Sequence, residues 1–128
     1  MSKKALLAVL LSGIWVNASE FLRNEIFLKH YWVEHYQSLG LIFPSQPING
    51  AIWGIWGFLF ATAVYLVSRK FSQLQTTIIC WLMGFVLMWL VIGNMAVLPF
   101  GILIFAIPLS LLETFVACFI AQRIAPTR

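Results

Sequence analysis

The sequence predicts an all-α fold: an integral membrane four-helix bundle with an additional amphipathic interfacial helix between spans one and two. Of the 128 residues, 62% are hydrophobic and only 9% are charged, whereas about a quarter of the residues in a soluble domain are charged. A chain of this length buries only part of so much apolar surface in its own core. The composition therefore excludes an ordinary soluble domain, a disordered chain and a disulfide scaffold.

The first span is predicted at about residues 5–23. It follows the basic pair Lys3-Lys4 and is apolar over 5–16. A basic start, an apolar stretch and the small residues around Val16-Asn17-Ala18 are also typical of a signal peptide. We interpret the segment as a retained transmembrane helix, because it reaches the length of about 20 residues that a bilayer core requires.

The segment at about 24–47 is predicted to lie on the outer membrane surface. Glu25 and Lys29 are spaced i,i+4, as are His30 and Glu34, which favours a helix with a charged face. We expect a bend near 23–25, where this helix leaves the first span, and a helix end at Leu39-Gly40. The proline-containing stretch 41–47 then forms an extended loop.

This outer helix contains both histidines of the chain. His30 and Glu34 share one helix face, while His35 lies well around the helix from His30, so at most two of these side chains could reach one ion. We therefore predict no metal site, and the favoured interpretation is an interfacial helix with a charged outer face. The sequence identifies no cofactor.

The remaining spans are predicted at about 48–67, 76–97 and 100–121. The stretch 71–112 has no charged residue and is too long for one span, and Gly93-Asn94 with Pro99 and Gly101 marks a turn near its middle. Strands that cross a membrane alternate between apolar and polar residues, and no such alternation occurs here. The whole chain is thus expected to form a single transmembrane domain.

The distribution of charge predicts the topology. The side that holds both termini carries only cations, and the opposite side carries Arg23 and Lys29 together with Glu25 and Glu34. By the positive-inside rule, both termini lie in the cytoplasm, in a plasma or inner membrane. The cations stand at helix ends, so the lipid bilayer is the expected partner and a nucleic acid is not. The cations on the cytoplasmic side are Lys3, Lys4, Arg69, Lys70, Arg123 and Arg128.

Glu113 is the principal candidate functional residue. Charged groups inside a bilayer are costly and usually functional, and Glu113 has no cation near it in the sequence. At the same depth in the bundle we expect Ser12 and Thr62 as hydrogen-bond donors; alternatively, Glu113 is protonated. A packing role or a contact between subunits is the other interpretation.

The cavity expected around Glu113 also includes Asn17, Glu20 and Asn94 toward the outer side, with Trp53, Trp56 and Trp89 as apolar walls.

Glu20 is the second glutamate inside a span, and Arg23 follows it at i+3, where it can neutralise the carboxylate.

The second span carries a stripe of small residues on one helix face, Gly50, Gly54, Gly57 and Ala61. Such a stripe permits close approach of another helix, either from the same chain or from a second subunit.

The function predicted from these features is binding or transport of a small hydrophobic or lipid-like molecule, by a homo-oligomer, at a site between spans one, two and four. The alternative is an accessory or assembly subunit that packs against a larger membrane protein complex through the small-residue groove and the outer helix. A membrane-embedded enzyme ranks lower, because no catalytic motif occurs and few polar groups converge.

Overall fold

The computed structural model describes residues 1–127 and contains five helices in that part of the chain. Four of them are long and apolar enough to cross a membrane, and the shorter α2 lies between the first two. No strand occurs in residues 1–127, so the all-helical prediction is confirmed. The helices are α1 (Lys3–Phe27), α2 (Lys29–Ser38), α3 (Pro47–Ser68), α4 (Gln73–Asn94) and α5 (Phe100–Ile124).

Capping residues determine where the helices start. The Ser72 hydroxyl accepts a hydrogen bond from the Gln75 backbone, and the Gln75 side chain accepts one from Ser72 N at 3.1 Å. This capping box begins α4 at Gln73, earlier than the predicted 76, because it satisfies backbone N–H groups that the first turn leaves free. Gln46 and Asn49 form the equivalent pair at the start of α3.

The bundle is formed by α1 packing against α3 and α5, while α4 packs against α5 and α3. At one end, Ala8 of α1 and Ala121 of α5 are fully buried beside Tyr65 of α3. Arg69 closes the same end by donating a hydrogen bond to the Ala125 carbonyl at 2.5 Å. The start of α1, the α3–α4 turn and the end of α5 therefore lie together. Arg128, one of the cations assigned to this end, lies outside the described residues.

Both α1 and α4 contain a π-helical segment, in which each turn is wider than in an α-helix. These segments are Leu22–Phe27 in α1 and Leu82–Val86 in α4. The first ends at Leu28, whose N–H donates to the Arg23 carbonyl at 2.8 Å. The helix break is thus at Leu28 and not at the predicted 23–25. At this break Leu28 is buried in an apolar cluster with Ile102 and Ala106 at the start of α5.

The short helix α2 packs over the α4–α5 turn. His35 Nε2 lies 2.7 Å from the Ala96 carbonyl oxygen in that turn, and Tyr31 and Trp32 pack against the apolar cluster that contains Leu98 and Ile102. A separate helix, Lys29–Ser38, therefore follows α1. Glu25 belongs to α1, so the Glu25–Lys29 pair spans the break between the two helices. The position of α2 on a membrane surface stays a prediction.

The four long helices expose large apolar surfaces. In the most apolar stretch of each, only 22% to 39% of the residues are buried inside the bundle. Ile55 and Leu59 of α3, for example, are 61% and 65% exposed. Such surfaces are unfavourable in water and require an apolar environment or a partner.

Candidate functional site: a buried charged network

Three charged side chains meet inside the bundle. Arg23 Nη2 lies 2.5 Å from Glu20 Oε1, and Arg23 Nη1 lies 3.2 Å from Glu113 Oε1. Glu20 and Arg23 belong to α1, whereas Glu113 belongs to α5, so one guanidinium joins the two helices. All three are buried, with residue exposures of 2%, 5% and 0% respectively. The i,i+3 pairing of Glu20 with Arg23 agrees with the sequence prediction, and Glu113 is a further partner of the same arginine.

Neutral side chains extend this network toward α2. Asn24 Nδ2 donates to Glu20 Oε2 at 3.0 Å, and Trp32 of α2 donates to Asn24 Oδ1 at 3.2 Å. On the other side, Trp15 Nε1 donates to the Glu113 backbone carbonyl at 2.9 Å. Because each of these side chains has its own partner, the position of the charged groups is fixed by α1, α2 and α5 together.

The two π-helical segments meet at this network. Arg23 lies in the segment of α1 and Phe85 in the segment of α4, and the guanidinium carbon of Arg23 is 5.5 Å from the centre of the Phe85 ring. This geometry is a cation–π contact. π-Helical turns account for well under 1% of residues in proteins and are frequent at functional sites. Their meeting at the buried charges marks this region as the candidate site.

An aromatic wall encloses Phe85. Phe60 of α3 contacts it edge to face with ring centres 5.4 Å apart, and Trp56 does so at 5.7 Å. Trp56 and Phe60 are themselves stacked at 5.1 Å, and Trp89 lies 5.9 Å from Phe85. These contacts make the side of the network that faces α3 and α4 apolar.

The carboxylate oxygens of the network outnumber the side-chain groups that donate hydrogen bonds to them. Both carboxylate oxygens of Glu20 accept hydrogen bonds, one from Arg23 and one from Asn24. Glu113 Oε1 accepts from Arg23, but Glu113 Oε2 is buried and has no hydrogen-bond partner in the described structure. One guanidinium thus faces two carboxyl groups.

The expected contacts of Glu113 with Ser12 and Thr62 are wrong. The Ser12 hydroxyl donates to Ala8 O of its own helix at 2.6 Å, and the Thr62 hydroxyl donates to Phe58 O at 2.8 Å. Both residues were chosen for their depth along the bundle, and depth does not determine which way a side chain points. Thr62 lines a cleft on the outer surface of α3.

Asn17 and the small-residue stripe lie at the α1–α3 contact. Asn17 Nδ2 donates to Gly54 O at 3.4 Å, and a Cβ atom added at Gly57 would overlap the Asn17 side chain. Ala61 is fully buried. At Gly50 and Gly54 an added Cβ would meet nothing within 4 Å. The stripe is therefore occupied by α1 in one half and open in the other.

The other predicted cavity residues are dispersed. Asn94 is exposed at the end of α4, and Trp53 is 43% exposed, so neither lines the network. Trp56 and Trp89 belong to the aromatic wall around Phe85. On α2, His30 and Glu34 are exposed, and His35 contacts the α4–α5 turn.

Sequence reasoning did not assign Arg23, Asn24, Trp15, Trp32 or Phe85 to the site. For Arg23, the available signal is its i+3 spacing from Glu20, which places both side chains on one face of α1. The remaining contacts come from other helices or from the π-helical turns. Nothing in the spacing of the residues indicates either.

Two shallow apolar clefts lie on the outer surface. The first, about 460 Å³, is formed by α3 alone. The second, about 300 Å³, lies between the end of α1, the start of α2 and α5. The first is lined by Ala51, Gly54, Ile55, Phe58, Leu59 and Thr62, and the second by Phe27, Leu28, His30, Tyr31, Phe105 and Leu109.

Metal-binding side chains do not cluster in residues 1–127, where no group of three or more His, Cys, Asp or Glu is arranged to hold an ion. Cys80 and Cys118 are both buried in the same apolar cluster and form no disulfide. No protein-family model, no curated protein and no solved structure matches the chain.

Proposed function

We propose that the protein is an integral membrane protein that binds a small hydrophobic or lipid-like molecule beside the Glu20–Arg23–Glu113 network. The main support for this proposal is the network itself. It is buried among apolar helices, at the place where the two π-helical segments contact each other. Ionised groups within a bilayer are costly to retain and commonly mark binding or transport sites. A purely structural bundle of this size has no need of them, because an apolar core of similar volume is often as stable.

The cleft between α1, α2 and α5 is the proposed ligand position. Its volume of about 300 Å³ is at the lower end of the range for small-molecule pockets. Leu109 lines it one helical turn before Glu113, which places the cleft next to the network along α5. The apolar part of a ligand would lie against Phe105 and Leu109, and Tyr31 and His30 are the polar groups at its edge. The sequence predicted a site between spans one, two and four, and the cleft proposed here lies between α1, α2 and α5.

Native mass spectrometry of the protein in mild detergent tests this proposal. The wild-type protein should carry a bound lipid or other small molecule, and Leu109→Trp should reduce the bound fraction several-fold, because the larger ring fills the cleft. Leu112→Trp is the matched control, since Leu112 is an exposed leucine on the same helix and does not line the cleft. A wild-type protein without ligand, or equal occupancy in both variants, contradicts the proposal.

Transport of the ligand is part of the same proposal and would require an oligomer. The two clefts are grooves on the outside of the bundle, so a path across the membrane would have to form between copies of the chain. Chemical cross-linking in native membranes should then give a homo-oligomer. A monomer would restrict the function to binding.

A role as an accessory or assembly subunit is the second candidate, and the open half of the small-residue stripe favours it. Gly50 and Gly54 leave space on α3 next to the cleft of about 460 Å³, and small residues allow close helix contact in membranes. Under this alternative, other membrane proteins co-purify with the chain. Gly54→Leu should release them, while Leu109→Trp should not.

A further inference from the structure

We propose that the Glu20–Arg23–Glu113 network is a proton-binding site that holds one exchangeable proton on the Glu113 carboxyl group. This inference goes beyond ligand binding and does not depend on it. It rests on the balance of charge in the network, on the hydrogen bonds of each carboxylate oxygen and on the groups that surround them.

The balance of charge requires one additional positive charge. The Arg23 guanidinium stays protonated under all ordinary conditions, and it is the cation paired with both Glu20 and Glu113 in the described residues. With both carboxyl groups ionised, the network would carry a net charge of −1 inside an apolar bundle, which is strongly unfavourable. One bound proton makes the network neutral.

The hydrogen bonds place this proton on Glu113 and not on Glu20. Both oxygens of Glu20 accept hydrogen bonds, from Arg23 and from Asn24, so a proton there would displace a donor. Glu113 Oε2 has no partner and is fully enclosed, since Glu113 is 0% exposed. A protonated Oε2 becomes a donor, and the Glu20 and Glu113 carboxyl groups both contact the Arg23 guanidinium.

No other charged side chain contacts the network from the helices around it, within residues 1–127. The titratable groups from α1 are Glu20 and Arg23, and α2 contributes the neutral Trp32 through Asn24. The neighbouring parts of α3 and α4 are aromatic, and α4 presents the ring of Phe85. The net charge at this place is therefore set by Glu20, Arg23 and Glu113 alone. Release of the proton to water leaves two carboxylates on one guanidinium, which favours separation of α5 from α1.

Infrared spectroscopy of the purified protein in lipid tests the proposal, because a protonated carboxyl group has a carbonyl band separate from that of a carboxylate. At neutral pH the wild-type protein should show this band, and the band should shift on transfer to D₂O. Glu113→Gln should remove it. Glu25→Gln should leave it unchanged, since Glu25 pairs with Lys29 at the surface. Absence of the band in the wild-type protein, or its persistence in Glu113→Gln, overturns the proposal.

Glu20→Gln provides an independent test that does not alter Glu113. With one carboxyl group removed, Arg23 neutralises Glu113 alone, so Glu113 should ionise and the infrared band should disappear. A band that remains in this variant would show that burial, and not the balance of charge, holds the proton. That result contradicts the proposed site even if Glu113→Gln fails to fold.

Discussion

Arg23 connects the two glutamates, since its guanidinium donates to Glu20 and Glu113 and lies over the ring of Phe85. Without it, two carboxyl groups would remain in an apolar interior with few donors. The loss of one partner from a buried ion pair is much more damaging than the loss of a surface pair. The stability of the bundle should therefore depend strongly on this side chain.

Substitution Arg23→Met should lower the free energy of unfolding by about 3–5 kcal/mol, the range found when one partner of a buried ion pair is removed. Lys29→Met is the matched control. It removes the cation of the exposed Glu25–Lys29 pair, which should cost no more than about 1 kcal/mol. Unfolding in detergent, followed by tryptophan fluorescence, measures both. Equal losses would show that Arg23 is not part of a buried network.

The sequence was sufficient to select Glu20 and Glu113 but not the residue that joins them. Both glutamates are identifiable because so few residues of this chain are charged. Arg23 was expected to neutralise Glu20 at the outer interface. Its contact with Glu113 depends on the wider turn at Leu22–Phe27 and on the packing of α5, and a pattern of residue types determines neither.

The π-helical segments and a glycine determine how closely the helices approach one another. A Cβ atom at Gly84, in the segment of α4, would lie 2.5 Å from Phe60 Cε2. The Phe60 ring cannot easily move, because it is stacked on Trp56 and contacts Phe85. Gly84 is thus needed for α4 to pack against α3 beside the network.

Gly84→Ala should destabilise the protein by about 1–3 kcal/mol, as expected for added volume in a packed core. Gly50→Ala is the control, because an added Cβ at Gly50 meets no atom within 4 Å. There the higher helix propensity of alanine should make the change neutral or stabilising. Thermal unfolding in detergent distinguishes the two variants, and a neutral Gly84→Ala would refute the close contact.

The contact between α2 and the α4–α5 turn should depend on His35. His35→Ala removes the contact with the Ala96 carbonyl, and hydrogen exchange of the α2 amides should become faster as the helix separates from the turn. His30→Ala is the control, because His30 is exposed and its ring lies against Tyr31 of the same helix. Unchanged exchange in His35→Ala would show that apolar packing alone holds α2.

The helices themselves were largely predictable, since the lengths of the uncharged stretches and the Gly and Pro residues of the turns determine four long helices. Where the predicted ends of these helices differ from the observed ends, the difference can be related to local contacts. The Ser72–Gln75 capping box starts α4 early, and the first break falls at Leu28, which lies in an apolar cluster with Ile102 and Ala106. The side-by-side arrangement was less predictable, because the apolar residues occur on all faces of each helix.

For the molecule as a whole, the proposed membrane topology places both ends of the chain on the cytoplasmic side. The start of α1, the α3–α4 turn and the end of α5 lie at one end of the bundle. That end holds Lys3, Lys4, Arg69, Lys70 and Arg123. This asymmetry is what the positive-inside rule requires.

Cysteine labelling tests this topology. A membrane-impermeant thiol reagent added outside intact cells should modify Ser45→Cys, in the loop between α2 and α3, but not Ser2→Cys or Thr127→Cys. The native Cys80 and Cys118 are only 4% and 0% exposed, so their background should be low. Labelling of Ser2→Cys from outside would reverse the orientation.

A double-mutant cycle measures whether Arg23 and Glu113 interact across the contact between α1 and α5. The cycle compares the unfolding free energies of Arg23→Met, Glu113→Leu and the double variant. We predict that the double variant loses at least about 1 kcal/mol less than the sum of the single losses, because residues in contact couple by about 0.5–3 kcal/mol. Losses that add within about 0.5 kcal/mol, the limit for independent sites, would show that Arg23 and Glu113 do not interact and that no charged network joins the two helices.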